Sequence, residues 1–245
     1  MHIRLATAHD ISETATLSVS AFADDELLEW MYPQRAAYPA HYRAAFLLRY
    51  QERFWSPNFF FYVAETDEGD EDWSGAAEVV GYATWSRRGN SEVAKRWRRS
   101  QYSWRATVEV ALLQIEEWYS DTIKADKSLD YGKREKFRAA ASADFEDVDE
   151  MWKLNNLATD PRFQHRGVGG MLIAWGQEQA RRENVCVGLT ASKVGQGVYR
   201  KKGFRMYGEL PCPGFISVPM MIWEPEGKEG AWGLYRDSKQ KGVVR

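Results

Sequence analysis

Leu157-Ala158-Thr159-Asp160-Pro161-Arg162-Phe163-Gln164-His165-Arg166-Gly167-Val168-Gly169-Gly170-Met171 is the stretch that decides how this chain folds. It begins at the end of an apolar run reaching back to Met151, which reads as a strand. Asp160-Pro161 stops that strand, because proline has no N–H to give a ladder. Val168, Met171, Leu172 and Trp175 then fall at helical spacing, so a helix starts near Val168. The first N–H groups of a helix lack internal partners, and the helix dipole adds partial positive charge there. Gly167 and Gly169 let the backbone approach a phosphate with no Cβ in the way. Strand, glycine-rich loop and helix start together make an anion cradle; the bland alternative is a tight strand–helix turn without a ligand.

A nucleotide P-loop needs Lys-Ser or Lys-Thr after its last glycine, and Gly170-Met171 stands there instead. The dinucleotide fingerprint needs a third glycine at the position of Leu172. What remains is Gln164-x-x-Gly167-x-Gly169, which resembles the pyrophosphate loop of the GCN5-related N-acetyltransferases (GNAT).

Working outward, 245 residues allow one large domain or two small ones. Hydrophobic content of 44% and charged content of 28% place the chain among soluble globular proteins. A net charge of −2 gives no bulk attraction to nucleic acid. Eleven Trp favour a filled core or an aromatic pocket over disorder. Cys186 and Cys212 supply neither a disulfide framework nor zinc spacing, and no metal is expected. No leader-like apolar segment follows Met1, and no apolar run approaches the ~20 residues of a membrane span. A cytoplasmic location without membrane attachment is the expectation.

Residues 2–6 read as a short strand. Asp10 with Glu13 suggests a capped helix to about Phe22, a second short helix starts at Asp24-Asp25-Glu26, and a third runs over 39–55. Residues 59–66 and 78–86 read as paired strands, with Gly81 marking a bulge or a close contact. The acidic loop 67–72 is a solvated hairpin connection or, less simply, a metal site. From Ser91 to about Lys124, Val93, Trp97, Trp104, Val108, Ala111, Ile115 and Trp118 keep the spacing of one long amphipathic helix. Its first half is basic (Arg87, Arg88, Lys95, Arg96, Arg98, Arg99, Arg105). Nucleic-acid binding is the sharp reading, and a core-packed aromatic face with solvated bases is the plain one. More helix follows around 133–143. The span 87–149 reads as a helical insertion packed on the main sheet, within a single domain 1–225. Further strands fall at 185–190, 204–207 and 215–223, with a short helix over 192–202 that contains Tyr199. The tail 226–245 is polar, with Trp232 and Tyr235 as its anchors.

The order of these elements, the loop at Gln164, and Val198-Tyr199-Arg200-Lys201-Lys202-Gly203-Phe204 together resemble the GNAT superfamily over most of the chain. The closing Met220-Met221-Ile222-Trp223-Glu224-Pro225 looks like its small-molecule members. The resemblance implies an α/β fold: a mixed, mainly antiparallel sheet flanked by helices. It implies acetyl-CoA as cosubstrate. Leu157, Ala158 and Thr159 would hold the pantetheine arm like an added strand. Gln164, His165, Arg166, Gly167, Val168, Gly169 and Gly170 would bind the pyrophosphate. Ser192 and Lys202 would join the cofactor site, and Tyr199 would face the thioester sulfur.

The implied chemistry needs three things. Charge builds on the thioester oxygen when an amine attacks, and a backbone N–H at Leu157 or Ala158 can stabilise it. A departing thiolate benefits from a proton, which Tyr199 can supply. An alkylamine arrives protonated and needs a base, yet the strand Trp152-Lys153-Leu154-Asn155-Asn156-Leu157 carries neither Glu nor His. Water polarised by Asn155, or a carboxylate from Asp24, Asp25, Glu26 or Glu29, could serve, although all four acids also suit a helix start. An arylamine acceptor would need no base. His41 and His165 are candidates in name only. No Gly-x-Ser-x-Gly elbow and no His-Glu-x-x-His motif supports a hydrolase. The expected function is acetyl transfer from acetyl-CoA to a small-molecule amine by direct attack. The alternatives are a non-catalytic acyl-CoA-binding module and a protein N-acetyltransferase. Nucleic acid and membrane are not expected as partners, and a homodimer is left open.

Overall fold

The computed structural model describes residues 1–142, 144–215 and 217–231. Trp232 and Tyr235, read above as tail anchors, lie outside the described residues. The strands are β1 (His2–Leu5), β2 (Phe59–Glu65), β3 (Val79–Arg88), β4 (Met151–Thr159), β5 (Cys186–Thr190), β6 (Arg205–Leu210) and β7 (Val218–Trp223). The helices are α1 (Asp10–Ala21), α2 (Glu26–Met31), α3 (Pro39–Trp55), α4 (Glu92–Ser100), α5 (Trp104–Thr122), α6 (Tyr131–Ser142), α7 (Val168–Glu183) and α8 (Gln196–Lys201).

The strands form one sheet in the order β1-β2-β3-β4-β5-β7-β6. Every neighbouring pair is antiparallel except β4 and β5, which run parallel because α7 carries the chain back between them. This is the mixed, mainly antiparallel sheet flanked by helices that the sequence suggests. One face packs on α7, with Trp85, Trp152, Leu172 and Ile173 fully buried. Gly176 is forced there, since a Cβ at that position would stand 2.2 Å from the Trp85 ring. The other face packs on α1 and α3 around Phe46, Tyr50, Phe61 and Tyr82. Three of its buried hydroxyls satisfy one another: Ser18 Oγ lies 2.9 Å from the Tyr50 hydroxyl and 2.6 Å from that of Tyr82.

Three local readings need correction. Asp10 does not cap α1; its carboxylate turns back to accept from the Thr7 N–H at 2.6 Å and pairs with Arg4 at 2.8 Å. The reciprocal turn therefore lies three residues earlier, with Asp10 in the place that reaches back in a capping box. The helix expected over 91–124 is two helices, because Ser91 caps α4 and Ser103 caps α5, each side chain accepting from the N–H three residues on. The second of these helices packs chiefly on α3, and α6 packs on α2, so the insertion touches the sheet mainly through α4 and through residues 144–148. Trp97 is core-packed as expected, edge-on to Phe60 and Trp152. Trp104, Val108, Ile115 and Trp118 are not; they face solvent.

Candidate active site

The site is created by a fault in the β3–β4 register. Thr84 pairs with Asn156 while Trp85 pairs with Leu154, which leaves Asn155 as the extra residue of a bulge. Side chains before and after a bulge exchange faces, so Leu154 and Leu157 both turn toward α7 while Ala158 turns toward α1. The Asn155 amide fixes the fault, donating to Ser86 Oγ at 2.9 Å and to the Lys153 carbonyl at 3.2 Å. Its Oδ1 is left available as an acceptor.

The parallel pairing of β4 with β5 spans only Met151–Leu154 against Cys186–Leu189. Beyond Leu154 the two strands part, and Thr190 keeps only its partner on the other edge of β5, Met220. The edge of β4 from Asn155 to Thr159 therefore has no strand partner toward β5. Peptide groups on such an edge are ready to pair with an extended ligand. Leu157, Ala158 and Thr159, expected to line the pantetheine arm, lie on it.

At the end of that edge the chain turns through Asp160, whose carboxylate accepts from the Arg162 N–H at 2.9 Å, and a 3-10 turn at Pro161–Phe163. Gln164 folds back to donate to the Thr159 carbonyl at 3.4 Å, tying the loop to the strand. His165 takes a left-handed φ of 62° and Gly167 one of 88°, the latter the conformation that only glycine adopts without strain. The two left-handed residues aim the start of α7 at the end of β4. A Cβ on Gly169 would meet Thr159 Oγ1 at 3.7 Å and Leu157 Cδ2 at 3.8 Å. The N–H groups of Val168, Gly169 and Gly170 have no intrahelical acceptor. Arg166 directs its guanidinium away, pairing with Asp72 and covering the Phe163 ring, so only its backbone is left facing the start of α7.

The second wall is α8. Lys202, just past its end, reaches over the first turn of α7, where a Cβ on Gly170 would come within 2.9 Å of its Cε. Gln177, buried on α7, donates to the Lys202 carbonyl at 2.8 Å and holds that arrangement. Ser192 closes the turn ahead of α8, its Oγ accepting from the Gly195 N–H at 3.1 Å. Tyr199 is buried against Phe204, and burial pushes its phenol well above the ordinary range, so it stays protonated at neutral pH. Its hydroxyl makes no hydrogen bond within the described protein.

Opposite, the acidic cluster 24–29 divides. Asp25 caps α2, accepting from the Leu28 N–H at 2.9 Å, and burial raises its carboxyl above the usual range. Glu26 reaches across to Lys193, which follows β5, at 2.8 Å. That bridge links the start of α2 to the loop that follows β5. On the same helix Trp30 packs at a tilt against Phe215, ring centres 5.3 Å apart, and Lys133 of α6 lies 5.6 Å from the Trp30 ring. On the α3 side of the sheet lie Lys153, joined to the buried Asp144, and Arg53, with a guanidinium nitrogen sealed from solvent and no hydrogen-bond partner. Burial and then the neighbouring Arg49 push the Arg53 guanidinium down to about 10.

Sequence reasoning brought together the β4 edge, the loop, Lys202 and Tyr199. It missed the anchors Ser86 and Gln177 and the Glu26–Lys193 bridge. Gln177 carried a signal, as a polar residue on the helix face that buries Leu172, Ile173 and Ala180. His41 and His165 are not brought together with Tyr199 by any contact among the described residues. No group of three or more His, Cys, Asp or Glu among the described residues could hold a metal, and no described helix is long and apolar enough to cross a membrane.

Comparison with known proteins finds acetyltransferases. The family model described as an acetyltransferase (GNAT) domain matches residues 133–206, which contain β4, the loop, α7, β5 and α8. A protein described as an acetyltransferase, from Stachybotrys chartarum, is 29% identical over 214 residues, covering 86% of this chain and 83% of its own length. A solved histone acetyltransferase HPA2 and related acetyltransferase from Corynebacterium glutamicum shares the fold. Its TM-score is 0.57 at 22% identity, covering 91% of this chain and 95% of that one.

Proposed function

Because the chain belongs to the GCN5-related N-acetyltransferase superfamily and is an acetyltransferase enzyme, we propose that it moves an acetyl group from acetyl-CoA to a small-molecule amine by direct attack, without a covalent enzyme intermediate. The observation that carries this reading is the parting of β4 from β5 directly in front of the α7 N-terminus. That slot offers an unpartnered strand edge at one end and free helix N–H groups at the other. A thioester of a long, amide-bearing arm and a pyrophosphate needs both.

Acetyl-CoA supplies the activated acyl group. The edge at Leu157, Ala158 and Thr159 holds the arm by backbone hydrogen bonds. The peptide N–H groups from Gln164 to Gly170, with the Lys202 ammonium, take the phosphate charge. An N–H of Leu157 or Ala158 stabilises charge on the carbonyl oxygen. Tyr199, held protonated by burial, donates to the leaving sulfur. Of the four acids, Asp25, whose carboxyl burial raises above its usual range, is taken as the proton acceptor for an ammonium substrate. Asn155 Oδ1 can orient a water between the two. Direct attack suits this chain because neither thiol is a ready nucleophile: burial pushes Cys186 up to about 12 and raises Cys212 as well. Trp30 and Phe215 offer an aromatic wall to the acceptor. No nucleic acid or membrane is required, and a cytoplasmic location suits the reaction.

Thiol release from acetyl-CoA, followed with and without a panel of polyamines, aralkylamines, arylamines and amino acids, tests the reading. Amine-dependent release is expected. Tight acetyl-CoA binding with no release for any amine or peptide would make the protein an acyl-CoA-binding module, and release only with peptides would make it a protein acetylase.

A further inference from the structure

The face of α5 that the sequence marks as apolar is the face the fold leaves outside. Trp104, Val108, Ala111, Ile115, Trp118 and Thr122 follow a 4-3-4-3-4 spacing, the seam of a two-helix coiled coil. Leu112, Tyr119 and Ile123 flank it. Exposure runs from 49% at Val108 to 76% at Trp104, with Trp118 at 67%. The inward positions are Ala106, Val110, Leu113 and Glu117, and they already seat α5 on the protein. The seam is thus a second, independent apolar surface.

We propose that this seam is the interface of a homodimer, formed by antiparallel pairing of α5 with α5 of a second copy about a two-fold axis near Leu113. Self-complementarity singles out that occupant. In this register Trp104 packs against the partner subunit's Thr122, Val108 against the partner subunit's Trp118, and Ala111 against the partner subunit's Ile115. Large residues meet small or medium ones in every layer. The flanks agree: Leu112 meets its own copy across the axis, while Arg105 is turned back over its own Trp55 ring and leaves the partner subunit's Tyr119 room to pack.

Charge selects the same arrangement. The N-terminal end of α5 and the helix before it carry Arg96, Arg99 and Arg105, while the C-terminal half carries Glu116 on its outer side, with Glu117 and Asp121 paired to Arg138 and Arg134 of α6. Antiparallel pairing places unlike ends together and closes with two-fold symmetry; parallel pairing would stack like on like. The acidic half also argues against the polyanions that the basic first half would attract. The area suffices: three aromatics at ~150–250 Å² each and four aliphatics give on the order of 800 Å² per copy, one side of a standard interface.

Sedimentation equilibrium on the full chain over a wide concentration range tests the proposal. The wild type is expected at the mass of two chains. Ile115→Glu, which buries a charge in the central layer of both copies, is expected at the mass of one chain with an unchanged circular dichroism spectrum. Leu112→Cys is expected to form a disulfide-linked dimer on oxidation. Trp104→Cys is expected not to, because antiparallel α5 helices hold that position ~25 Å from its copy. A wild type of single-chain mass at every concentration would overturn the proposal. So would a two-chain mass that survives Ile115→Glu, or cross-linking through Trp104→Cys in place of Leu112→Cys.

Discussion

Lys202 lies across the first turn of α7 so closely that a Cβ on Gly170 would stand 3.1 Å from its Nζ. An ammonium is thereby held beside three helix N–H groups that have no internal acceptor. Neither feature is explained by stability, since like partial charges face each other across the gap. An anion between them resolves the repulsion.

Lys202→Ala is therefore expected to weaken acetyl-CoA binding about fivefold to tenfold, the worth of one charge-assisted contact of ~1–1.4 kcal/mol. Turnover at saturating acetyl-CoA should change little, because the contact lies far along the chain from the reacting bond. Titration calorimetry at two salt concentrations checks this. An unchanged affinity would remove Lys202 from the phosphate site.

Asp25→Asn separates a capping role from a proton-accepting one. Asn caps a helix as well as Asp, so α2 should survive. Turnover of strongly basic amines should fall about a hundredfold or more while that of arylamines falls little, since only the former must lose a proton. Stability gives the sign of the ionisation. The Asp25 carboxyl is raised in the fold by burial, so its charged form costs stability, and that cost is felt as pH rises through the folded value. Asp25→Asn should melt above the wild type at neutral pH, and the advantage should vanish as pH falls below the ordinary carboxylate range. Equal kinetic losses for both amine classes would leave Asp25 a helix cap.

Tyr199→Phe keeps the ring that packs on Phe204 and removes only the acid. The turnover number should fall about tenfold to a hundredfold, the low end for general acids, because a thiolate is already a fair leaving group. Affinity for acetyl-CoA should change by less than ~1 kcal/mol. Burial holds the phenol protonated, so the wild-type rate should not decline with loss of a Tyr199 proton anywhere in the neutral range. An unchanged single-turnover rate in Tyr199→Phe would assign the leaving-group proton to water.

What the sequence disclosed was local chemistry. Pro161, Gly167 and the apolar spacing from Val168 to Trp175 fix the turn and the helix from their own residues, and the structure puts them where that chemistry requires. Asn155 was suggestive only as the polar residue of a strand lacking Glu and His. Its place in a bulge depends on Thr84 and Trp85, seventy residues earlier, and register between distant strands leaves no trace in either strand alone. Asp10 misled because a carboxylate at a helix start can cap forward or reach back, and Arg4 and Thr7 decided it. The α5 seam was visible as a period, but a period says that a face is apolar, not what covers it.

Gly169→Asp tests the central claim most directly. Ordinary van der Waals space surrounds a Cβ there, and an acidic residue in the first turn favours the helix, so the variant should fold and melt at or above the wild-type temperature. Its carboxylate would stand where we propose that the pyrophosphate is held. Calorimetric titration of acetyl-CoA into the folded variant should show affinity lower by on the order of a hundredfold or more. Wild-type affinity in that variant would contradict the account, because the start of α7 could then not be the acetyl-CoA phosphate site.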